Sequence, residues 1–132
     1  RLLWSAQGRV GWGLFLAGSK GASPSSLKVD PAGIAGLKVF MASSGSCSAI
    51  TDPEILARLL LAWPRIAIHA EDESVFPADS FGLNHQARRP RSAIVSALSK
   101  LSAAFAIAEL LTGEKPGCRM VLKRKLSSVF CC

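Results

Sequence analysis

The chain has 132 residues and a mass of 13.9 kDa, room for one domain or for part of a larger one. Its 49% hydrophobic content, 19% charged content and mean hydropathy of +0.31 exclude an intrinsically disordered chain. The net charge of +7 is uneven: residues 115–132 carry five basic residues and no acid, against 11 basic and 9 acidic residues elsewhere. The body is therefore no basic surface, and a nucleic-acid partner is not expected.

In chain order, the first apolar segment is Val10–Ala17 (VGWGLFLA), which reads as a buried strand. Ser19–Ser26 is a Gly/Ser/Pro loop, and Leu27–Ile34 has room for one or two helical turns. A second strand spans Gly36–Ala42 (GLKVFMA). A helix follows, with Thr51 or Asp52 as N-cap, Pro53 at the first helical position and Glu54 in the first turn. Ile55, Leu56, Leu59, Leu60 and Trp63 recur at helical spacing before Pro64 stops it. Arg65–Ala70 (RIAIHA) is a third strand, and Glu71–Arg91 a long loop. A helix is predicted from Arg91 to Leu111, with Ile94, Leu98, Leu101, Phe105 and Leu110 on its apolar face and Gly113 closing it. Met120–Leu122 is ambiguous. Strands alternating with helices mean βαβ units and a parallel sheet, an α/β fold with about three strands.

No uninterrupted apolar run reaches the roughly 20 residues of a membrane span, so no membrane is expected. The chain starts at Arg1 without a signal-peptide pattern and reads as a fragment. Cys47, Cys118, Cys131 and Cys132 show no zinc-type CxxC spacing and read as reduced thiols of a cytoplasmic protein.

Two residues stand out for chemistry. Lys38 lies inside an apolar strand, where a lysine is costly unless it is paired, neutralised or modified. His69 lies near the end of the next strand, before Glu71, Asp72 and Glu73. In parallel α/β folds functional groups collect at such strand ends.

The run Gly36-Leu37-Lys38-Val39-Phe40-Met41-Ala42-Ser43-Ser44-Gly45 resembles the lysine strand of the cyclic amidohydrolases. Ile66-Ala67-Ile68-His69-Ala70-Glu71-Asp72-Glu73 is similar to their next metal-ligand strand, and His85 with Arg88-Arg89-Pro90 to the element that opens the following helix. The match covers roughly residues 10–112 and is nearest dihydroorotase, with hydantoinase and allantoinase as alternatives. It implies part of a distorted (β/α)8 TIM barrel, here incomplete, over residues 1–114, with 115–132 a basic tail of doubtful fold. It also implies two zinc ions, with Lys38 carboxylated by CO₂ to a bridging carbamate and His69 coordinating one zinc. Metal-activated water would attack the amide of a small cyclic substrate. For dihydroorotase this is the interconversion of N-carbamoyl-aspartate and dihydroorotate in pyrimidine synthesis.

Glu71 or Asp72 would orient His69, although solvated loop acids are the simpler reading. Ser43 and Ser44 would offer backbone amides to substrate, and His85 would lie near the loop over the site. The family's paired His-x-His ligands and its proton-shuttling aspartate have no counterpart here. Lys125 precedes Leu126-Ser127-Ser128, where the resemblance implies a ligand histidine. The chain alone is therefore expected to be inactive, the complete parent being a candidate homo-oligomer. The alternative from another class is a non-catalytic relative that binds a partner transcarbamoylase.

Overall fold

The computed structural model describes residues 13–43, 47–76 and 91–123. Four strands, β1 (Phe15–Ala17), β2 (Gly36–Phe40), β3 (Arg65–His69) and β4 (Arg119–Lys123), form one parallel sheet in the order β1-β2-β3-β4. Helix α1 (Pro53–Ala62) connects β2 to β3, and α2 (Arg91–Thr112) precedes β4. The α/β class and the parallel sheet are as the sequence predicts. Val10–Trp12, the start of the expected first strand, lie outside the described residues.

Local chemistry sets the element ends. Asp52 caps α1 by accepting from the N–H of Glu54 at 2.8 Å and of Ile55 at 3.3 Å, so the cap is Asp52 and not Thr51. Pro64 disfavours the helical region for Trp63, which is extended and ends the helix. The segment before β2 holds only a 3-10 turn, Pro31–Gly33, in place of the expected helical turns; Pro31 starts it and the Asp30 carboxylate caps it. Gly36 has a φ of +151°, and a Cβ there would lie 2.5 Å from the Arg65 carbonyl oxygen, so only glycine lets β2 start this close to β3. The Arg65 guanidinium donates to the carbonyls of Pro31, Ile34 and Ala35, tying the N-terminal ends of the two strands together.

The core lies between the sheet and both helices. Leu37, Val39, Met41, Ile66 and Ile68 meet Leu56, Leu59 and Leu60 of α1 and Ala97, Leu101, Ala104 and Ala108 of α2. The face of α2 differs from the prediction. Its buried residues are Ala93, Ala97, Leu101, Ala104 and Ala108, whereas Leu98 and Leu110 are exposed. Alanines at these spacings let the two helices approach closely, and the larger side chains are displaced to the flanks. An 18-residue window within α2 has a mean hydropathy of 1.7, long and apolar enough to cross a membrane. Reading uninterrupted runs alone missed it, because Lys100 and Glu109 divide a stretch that stays apolar on average.

The ambiguous Met120–Leu122 run is the middle of β4, so part of the basic segment from residue 115 pairs with β3. Three apolar residues in succession suffice for a strand that needs only one neighbour. Cys118 is a free, half-buried thiol whose pKa burial pushes up. Cys47 is disulfide-bonded, which corrects the expectation of reduced thiols throughout.

Candidate functional site

Side chains alternate along a strand, so the register assigns faces. Phe40 pairs with His69, Lys38 with Ala67, and Ala17 with Lys38. These five residues share the sheet face opposite Leu37, Val39, Ile66 and Ile68, which pack on the helices. The two sequence candidates therefore belong to neighbouring strands and one face, His69 at the C-terminal end of β3.

Lys38 is only 3% exposed. Its Nζ lies 5.0 Å from the centroid of the Phe40 ring, a cation–π arrangement. The same ring stacks on His69, with centroids 6.1 Å apart and planes inclined by 27°. Phe40 thus touches both candidates. The Nε2 of His69 lies 3.1 Å from Oε2 of Glu71; in the neutral ring Nε2–H donates to the carboxylate, which leaves the lone pair on Nδ1. That Nδ1 is buried and has no hydrogen-bond partner among the described residues. An imidazole oriented by a carboxylate through one nitrogen, with a bare second nitrogen, is the arrangement of a metal ligand. Among the described residues, however, no group of three or more His, Cys, Asp or Glu side chains could hold a metal ion. His69 Nδ1, and Lys38 were it carboxylated, would supply two zinc ligands, not a complete set.

The first two acids after β3 are not solvated. Glu71 is 7% exposed and Asp72 is fully buried, which corrects the simpler reading of both as loop acids. The backbone turns sharply here, as the N–H of Glu71 and that of Met41 both donate to the His69 carbonyl. Asp72 does not reach toward His69. Its Oδ2 accepts from Lys100 Nζ and Ser96 Oγ, each at 2.6 Å, and its Oδ1 from the N–H and Oγ of Ser74 at 3.1 and 2.8 Å. Its own N–H donates to Ala93. Burial alone would raise the Asp72 pKa; the hydrogen bonds from Lys100, Ser96 and Ser74 outweigh it and hold the carboxyl at about 2.

Glu73 crosses to the other strand end. Its carboxylate accepts from the N–H of Ser43 at 2.6 Å and from Ser43 Oγ at 3.2 Å, while its N–H donates to Met41. The Ser43 amide is therefore already occupied and not free for a substrate, a correction to the role expected of it. Ser44 and His85 lie outside the described residues. Sequence reasoning missed the tasks of Asp72 and Glu73. The available signal was Ser96 and Lys100, four residues apart on the helix, which place a hydroxyl and a cation on one face. No protein-family model, no curated protein and no solved structure matches this chain.

Proposed function

We propose that this chain forms part of a zinc-dependent cyclic amidohydrolase similar to dihydroorotase, with Lys38 and His69 as two of its metal ligands. The observation that carries the reading is the placement of a buried Lys38 and a His69 whose Nδ1 has no partner among the described residues on one face of adjacent strands. A further support is the strand order. Consecutive parallel strands that run β1-β2-β3-β4, with both helices in the core on one side, follow the plan of a (β/α)8 barrel. A complete doubly wound sheet reverses its order and carries helices on both faces; among the described residues there is no such reversal.

In this reading the Lys38 stem crosses the apolar layer and its amine, once carboxylated, presents two hard oxygens. Glu71 holds the imidazole by Nε2–H, which would leave Nδ1 to hold a metal. Zinc, when bound, polarises an amide carbonyl and acidifies water. Ring opening and closing of a cyclic amide is the reaction class that such a site serves.

A second reading, a non-catalytic relative that binds a transcarbamoylase, draws on Lys125 before Leu126-Ser127-Ser128 in place of a ligand histidine. Both readings keep Lys38 on the inner face, and only the first requires its modification.

The test is carbon NMR of the chain in ¹³C-bicarbonate with zinc. A lysine carbamate signal is expected in the wild-type chain and absent in Lys38→Ala. No carbamate, or one that survives Lys38→Ala, would overturn the proposal.

A further inference from the structure

A cleft of about 390 Å³ opens at the C-terminal ends of β1 and β2, walled by Gly18, Ser19 and Lys20 on one side and Ser48 and Ile50 on the other. Its volume falls in the range that small ligands occupy, and strand C-termini are where parallel sheets bind them. Among the described residues of the wall, Lys20 is the one that is charged. Among the described residues no carboxylate pairs with it.

The loop that carries Lys20 is rigidly built. The Gly18 N–H donates to the Lys38 carbonyl at 2.6 Å, which draws the loop against β2. A Cβ at Gly18 would lie 3.0 Å from that same oxygen, so glycine suits this close approach. The Ala22 N–H closes a turn onto the Ser19 carbonyl, leaving Lys20 and Gly21 at its tip. Ser26 Oγ donates to the Gly21 carbonyl, and Ser23 and Ser26 exchange backbone-to-hydroxyl bonds. The buried Trp63 indole donates to the Ala22 carbonyl at 3.0 Å, which fixes the turn to the end of α1. These bonds hold the backbone of the turn that carries Lys20 beside the cleft, so only the exposed lysine stem is left to order when it meets an anion.

We propose that this cleft binds a small oxyanion, a carboxylate or a phosphate, through Lys20 and the hydroxyls of Ser19 and Ser48. The inference does not depend on zinc or on Lys38 modification.

The test is a backbone amide NMR titration of the whole chain at constant ionic strength, in separate arms with inorganic phosphate and with succinate. Saturable shifts are expected at Gly18, Ser19, Lys20 and Ser48, and the tighter arm identifies the oxyanion. Lys20→Ala should weaken binding by about tenfold or more, as for loss of one charge-assisted hydrogen bond, and Lys20→Arg should retain it. Lys20 is exposed, so neither variant threatens the fold. Absence of saturable shifts, shifts spread over the basic residues from Lys115 onward, or affinity unchanged in Lys20→Ala would each overturn the proposal.

Discussion

Replacing Asp72 with alanine is expected to destabilise the chain by about 3–5 kcal/mol, the scale for breaking a buried ion pair from one side. The carboxylate is fully buried and gathers Lys100, Ser96 and two groups of Ser74, all of which lose their acceptor together. Lys100 and Ser96 are both part-exposed and recover some hydration, which offsets part of this loss. Asp72→Asn keeps one acceptor oxygen and should cost less. Urea unfolding measures both, and a loss below about 1 kcal/mol in Asp72→Ala would contradict the account.

The same residue gives the fold an acid limit. Its folded pKa of about 2 lies below the unfolded value of about 3.9, so it contributes stability above pH 4. That contribution, on the order of 2–3 kcal/mol, is lost as pH falls from about 4 through 2. Asp72→Asn should remove this part of the pH dependence. The clamp also bears on the site, because it fixes the turn that follows Glu71 and with it the carboxylate against His69.

Trp63→Ala should cost about 3–5 kcal/mol as well, by a different route. The side chain is 1% exposed in the core beside Leu59 and Leu60, and its removal leaves a cavity larger than its neighbours can fill. It also strips the Ala22 carbonyl of its donor. Trp63→Phe retains most of the ring volume and isolates the hydrogen bond, with an expected loss of about 1–2 kcal/mol. Urea unfolding of the pair separates the terms, and equal losses in the two variants would contradict this division. The Lys20 turn should loosen in both, seen as faster amide exchange at Ala22.

Much of this was legible in the residues. Asp52-Pro53 and Trp63-Pro64 mark the ends of α1 because capping and proline chemistry act locally. The strands around Lys38 and His69 announce themselves as continuous apolar runs, the mark of a sheet buried on both faces. The face of α2 was not legible, since period analysis weighs leucine and phenylalanine above the alanines that contact α1. Nor was the division of labour among Glu71, Asp72 and Glu73. Three consecutive acids look alike in sequence, and only the tertiary fold sends one to His69, one to α2 and one to Ser43.

Lys38 and His69 are proposed as metal ligands, and the imidazole nitrogens report on that role directly. The chain has two histidines, so ring ¹⁵N NMR during zinc titration in bicarbonate distinguishes them without ambiguity. The account predicts that Nδ1 of His69 takes the metal-bound shift while Nε2 keeps its proton toward Glu71, and that Lys38→Ala abolishes the change. A His69 ring that stays unaltered when zinc has saturated the chain elsewhere would contradict it.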